Sequence, residues 1–95
     1  MPFVLKQKQT EEILTCELIN NYDFKYYGVK AWNIRSAAEA EYASFLLGLG
    51  LDELWNWEVF ELDENQVKIG NVKLNNNSSK SLFLTPEGKL VARQD

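Results

Sequence analysis

A chain of 95 residues, with 45% hydrophobic and 25% charged side chains, is sized for one globular domain, residues 1–95, and is too apolar to be a disordered segment. Its formal net charge is −4, with acids and bases both scattered and no basic stripe, which argues against binding the phosphates of nucleic acid. One cysteine excludes an internal disulfide, and the absence of histidine excludes Ser-His and Cys-His nucleophile pairs and His-ligated metal.

The run Met1-Pro2-Phe3-Val4-Leu5-Lys6 lacks the charged and apolar regions of a secretory signal. The longest apolar stretch, residues 45–51, is far shorter than a membrane span. A cytoplasmic protein without membrane contact is therefore expected, and a lone thiol suits that reducing compartment. Residues 13–19 and 24–32 are β-rich and flank Asn20-Asn21-Tyr22-Asp23, whose Asn and Asp side chains favour turns, so they predict a hairpin. Thr10-Glu11-Glu12 resembles a helix start, but Thr15 and the β-rich flank favour strand there.

Ser36-Ala37-Ala38-Glu39 has the spacing of a capping box, and Ala38, Tyr42, Phe45, Leu46 and Leu49 then form one apolar stripe. Together they predict a helix at about 37–47, with Gly48 as the left-handed residue past its end. Residues 54–62 read as a strand, Asp63-Glu64-Asn65 as a turn and residues 66–69 as a returning strand. Gly70-Asn71 reads as a tight hairpin turn before Val72-Lys73-Leu74. Residues 75–79 form a polar loop, and residues 81–85 and 89–92 pair around Pro86-Glu87-Gly88. The expected fold is α+β: an N-terminal β-hairpin and one α-helix packed on a curved antiparallel β-meander.

Little in this order points to catalysis. Glu58 with Glu61, or Asp52 with Glu53, offers paired carboxylates, but such spacings are those of a solvated strand face or a turn. Cys16 alternates with Leu14 and Leu18, as a small buried hydrophobe does. Asp63 to Lys68 starts like a calcium loop and fails at its sixth position, where Lys68 replaces the required glycine. Gly48-Leu49-Gly50 follows a helix, whereas a phosphate-cradling loop precedes one. Asn76-Asn77-Ser78 and Asn77-Ser78-Ser79 fit the glycosylation sequon and mark a surface loop. Lys25-Tyr26-Tyr27-Gly28-Val29 has the aromatic content of an RNA-binding strand without its basic residues, and an acidic mimic of nucleic acid would need more charge than −4. No catalytic residue, metal or cofactor is expected.

The aromatic content, 13%, is the feature with consequences. In the strand from Leu54, alternation puts Trp55, Trp57 and Val59 on one face and Leu54, Phe60 and Leu62 on the other. The strand from Phe24 repeats this, with Phe24, Tyr26 and Trp32 opposite Tyr27, Val29 and Ala31. One helix covers one sheet face, so the surplus rings need a second cover. That cover is either the sheet coiling on itself, closed by residues 3–5, or a partner protein or second copy docked on Trp55, Trp57, Tyr26 and Tyr27. The expected role is non-enzymatic, as an accessory subunit, regulator or inhibitor acting by contact. The alternative is a small-ligand pocket between helix and sheet, lined by Trp32, Tyr42 and Phe45, with Glu58 for orientation or carboxylate chemistry.

Overall fold

The computed structural model describes residues 1–94 and has the α+β architecture that the patterning predicts, with two helices on antiparallel sheets that do not close. The strands are β1 (Phe3–Gln7), β2 (Glu12–Ile13), β3 (Thr15–Ile19), β4 (Lys25–Val29), β5 (Trp57–Glu61), β6 (Lys80–Leu84) and β7 (Leu90–Gln94). Five of them form one sheet in the order β5-β1-β2-β6-β7, and β3 and β4 form the predicted hairpin. β2 and β3 are one extended run that changes partner at Leu14, whose N–H still donates to the Leu5 carbonyl. Beyond it β3 pairs with β4 instead of β1, and Phe3 exchanges two backbone bonds with Trp32 across the resulting fork.

The N-terminal segment is thus an interior strand rather than a closing strap. Register pairs Leu5 with Val59 and Val4 with Phe60, so Leu5 and Val59 share one face, and Val4 and Phe60 the other. Both faces of β1 are buried because a helix lies on each side. Helix α1 (Arg35–Gly48) covers the Leu5 face, building a core of Leu5, Leu14, Trp32, Ala38 and Leu46. Helix α2 (Glu64–Leu74) serves the other core, where Leu74 joins Val4, Ile13, Val29, Leu82 and Leu90.

Helix α2 corrects the reading of residues 63–74 as turn, strand, turn and strand. Asp63 is its N-cap, accepting from the Gln66 N–H while the Gln66 side chain accepts from the Asp63 N–H. Val67, Gly70, Asn71 and Leu74 recur at helical spacing on its inner side, and Asn75 ends it in the left-handed conformation (φ 51°). Gly70 is there for closeness: a Cβ at that position would come within 2.8 Å of Leu82 Cδ2 and 3.2 Å of Leu90 Cδ1.

Helix α1 also differs from expectation at its ends. Its N-cap is Ile34, without a side-chain cap bond, and Ser36 lies exposed in the first turn. The helix runs through Gly48, and Gly50 (φ 83°) is the left-handed residue. Gly50 N–H donates to the Leu47 carbonyl and Leu51 N–H to that of Leu46, the two bonds of a Schellman turn.

Candidate interaction surface

Trp55 stands outside the core. Residues Leu54–Asn56 form a 3-10 turn, so the alternation of β5 begins only at Trp57, and Trp55 and Trp57 do not share a strand face. Trp57 packs beneath α1 with Leu5 and Val59, whereas Trp55 is 70% exposed. The turn itself is pinned: Asn56 N–H donates to the Glu53 carbonyl, Asn56 Nδ2 donates to Glu53 Oε2 at 2.7 Å, and Trp57 N–H donates to the Leu54 carbonyl.

Tyr26 and Tyr27 lie elsewhere, on β4. Tyr27 packs against the α2-side core with its hydroxyl 2.7 Å from Thr15 Oγ1. Tyr26 borders a 550 Å³ groove between the hairpin and α2, with Glu17, Lys30, Val67 and Asn71 on its walls. The four aromatics named from the sequence therefore do not form one patch: Trp57 and Tyr27 pack on different cores, Trp55 stands on a turn and Tyr26 borders the groove.

Of the residues of the alternative pocket, three come together and Glu58 does not join them. Trp32, Tyr42 and Phe45 pack into the α1 core, where Trp32 and Phe45 meet edge to face at 5.8 Å between ring centroids. Trp32 Nε1 donates to Glu41 Oε1 at 3.3 Å, and Lys30 Nζ sits 4.8 Å from the Trp32 ring and 5.0 Å from that of Phe45. Glu58 occupies the opposite face of β5 from Trp57 and Val59, 3.8 Å from Lys6 Nζ. Glu58 and Glu61 lie three apart on one strand and so project to opposite faces.

Burial pushes the Cys16 thiol above its usual pKa, opposed by the nearby charge of Lys30. Among the described residues no three His, Cys, Asp or Glu side chains converge as a metal ion requires, and no helix is long and apolar enough to cross a membrane.

The chain leading from α1 into the Trp55 turn is apolar and acidic together. Leu47, Leu49 and Leu51, at the end of α1, are exposed like Trp55, and the Schellman turn ties Leu51 back to the helix. Leu51, Asp52, Glu53, Asn56 and Trp57 share a 230 Å³ cleft that joins this loop to the start of β5. A helix ending at about 47 with Leu49 in its apolar stripe does not single these leucines out as surface, and charges taken as evenly scattered give the loop no character. A usable signal was present: between Arg35 and Lys68 stand eight carboxylates and no Lys or Arg. The rest of the chain holds ten bases against six acids, so a segment of charge −8 is set against a remainder of +4. That segment folds as α1, the 3-10 turn, β5 and the first turn of α2. A second exposed group, Ile19, Tyr22 and Phe24, crowns the β3–β4 hairpin, where Asn20 Oδ1 accepts from the N–H groups of Tyr22 and Phe24. Comparison of the chain with protein-family models, with curated proteins and with solved structures gives no significant match.

Proposed function

We propose that this protein is a non-enzymatic cytoplasmic accessory subunit, regulator or inhibitor that works by docking on another protein through its α1–β5 side. The observation that carries the reading is Trp55: a large ring 70% exposed on a hydrogen-bonded turn that follows, in the chain, the exposed Leu49 and Leu51 and the exposed carboxylates Asp52 and Glu53. A Trp presented on a fixed backbone loses little freedom on binding and can bury a large apolar area, which is why Trp anchors dominate many interfaces. Leu47, Leu49 and Leu51 add exposed apolar surface on the stretch of chain before Trp55, and the acidic segment adds charge. A non-enzymatic role is supported by the lack of histidine and by the burial of the one cysteine. A reducing compartment suits that free thiol.

The test is affinity capture from the native cell with the tagged parent chain, the Trp55→Ala variant and a Tyr22→Ala control, followed by mass spectrometry. The expected result is a partner set lost with Trp55→Ala and kept with Tyr22→Ala, at unchanged melting temperature. A partner set that survives Trp55→Ala, or loss in the Tyr22→Ala control alone, overturns the reading.

A further inference from the structure

We infer that the outer edge of β5 receives an extended, lysine- or arginine-bearing segment of a partner protein as an added strand, a reading that rests on the docking role above and specifies its partner. The geometry of hydrogen bonding supports this first. Lys8 N–H donates to the Asn56 carbonyl and Leu62 N–H to that of Pro2, so the even-numbered residues of this stretch spend their backbone groups on β1. The N–H and C=O groups of Val59 and Glu61 consequently point away from the sheet. Among the described residues none is bonded to them.

Side chains occupy part of two other strand edges. Two outward N–H groups of β4 are taken up by side chains, that of Tyr27 by Asn76 Oδ1 at 2.7 Å and that of Val29 by Asn71 Oδ1 at 2.9 Å. At β7, the Leu90 carbonyl accepts from Lys73 Nζ at 2.6 Å. Edge strands are ordinarily blunted by Lys, Pro or a bulge, and Trp57–Glu61 has none of these.

Charge then selects the occupant. Pairing β5 with β5 of a second copy would set two segments of charge −8 about 4.8 Å apart at the strands, well within the screening length of about 8 Å at physiological salt. A segment carrying Lys or Arg meets the opposite condition. At the Trp57 end of β5, Asp52 and Glu53 in the adjoining cleft offer carboxylates to a basic side chain of the added strand. Such an arrangement gives affinity through main-chain bonds and selectivity through alternate side chains.

The probe is the peptide Lys-Val-Lys-Val-Lys-Val-Lys, titrated into the full chain by calorimetry and followed by amide exchange, with Glu-Val-Glu-Val-Glu-Val-Glu as control. Binding of the basic peptide alone is expected, with slowed exchange at Val59 and Glu61. Glu61→Pro removes an outward donor without touching a bond to β1, and should weaken binding by roughly tenfold. Glu61→Gln keeps the donor, removes the charge and should weaken it by only about two- to threefold. Equal binding by parent and Glu61→Pro, slowed exchange away from β5, or no binding by the parent overturns the inference, as does concentration-dependent self-association that Glu61→Pro abolishes. Amide exchange on the parent decides the matter should Glu61→Pro not fold. Partners captured by the native chain that are lost with Trp55→Ala but kept with Glu61→Pro would sink strand addition alone. Partners kept in both variants would sink the docking role as well.

Discussion

Asn71 joins α2 to the hairpin through one bond, from the Val29 N–H to Asn71 Oδ1 at 2.9 Å, and Val29 is 4% exposed. Substitution to Ala leaves that N–H without an acceptor in a site too enclosed for free hydration, a loss of about 1–3 kcal/mol. Ala is the better helix former by up to about 0.7 kcal/mol, which offsets part of it. A net destabilisation of about 0.3–2.3 kcal/mol remains, or roughly 1–18 °C in melting temperature for a domain of this size. Asn71→Asp retains an acceptor oxygen, although a carboxylate near the C-terminal end of α2 opposes the helix dipole by up to about 1 kcal/mol. It should therefore lose less than Ala. Thermal and urea unfolding measure the stability, and amide exchange at Val29 isolates the bond. Unchanged melting together with unchanged protection of the Val29 amide in Asn71→Ala would refute the argument that this side chain closes the edge of β4.

Asp63→Ala removes half of the capping box of α2 and should cost about 0.5–2 kcal/mol by urea unfolding, while Ser36→Ala should stay within about 0.5 kcal/mol, since Ser36 caps nothing. Trp57→Ala should cost about 2–3 kcal/mol for a half-buried ring, against a change within about 0.5 kcal/mol for Trp55→Ala, and equal losses would show that both indoles belong to the core. Cys16 should resist iodoacetamide in the native state and react on unfolding. With its folded pKa raised by burial, the folded state holds the thiol proton more tightly than the unfolded one. Its contribution is thus full below the unfolded value of about 8.5 and is lost as pH rises from there through the folded value, which urea midpoints at pH 7–10 for parent and Cys16→Ala would register.

The elements legible in the sequence are those whose cause is local. The β3–β4 hairpin follows from two β-rich runs about a turn sequence, and the stripe from Ala38 to Leu49 yields α1. Helix α2 was hidden by Gly70-Asn71, a pair that spells a hairpin turn when read alone. Each residue is there for a long-range reason: Gly70 because Leu82 and Leu90 crowd the helix, Asn71 because the edge of β4 needs an acceptor. Local chemistry cannot distinguish a glycine chosen for φ from one chosen for closeness. Missing α2 also inflated the apparent surplus of aromatics, since its presence gives Tyr27 and Phe60 the cover that a single helix does not supply.

The candidate site was partly legible for a related reason. Alternation across residues 54–62 grouped Trp55 with Trp57 because a period of two carries no marker for where a strand begins. The 3-10 turn at Leu54–Asn56 breaks the period and turns one indole outward. The status of β5 as an edge is a property of topology, and nothing within Trp-Glu-Val-Phe-Glu declares it. What that pentapeptide does lack, when set beside β4 and β7, is a side chain bonded to its outward backbone groups, and the thirty-two residues that contain it lack any cation. An unguarded edge in a neutral setting invites pairing with copies of itself. The same edge inside a segment of charge −8 repels such copies and still leaves its backbone groups open to a strand of opposite charge. Negative charge can therefore serve β5 as lysine serves other edges, preventing self-association while selecting a partner. Neutralising Glu58 and Glu61 together to Gln should then make the chain self-associate at concentrations where the parent is monomeric, and a sedimentation profile unchanged from the parent's would refute this assignment of roles.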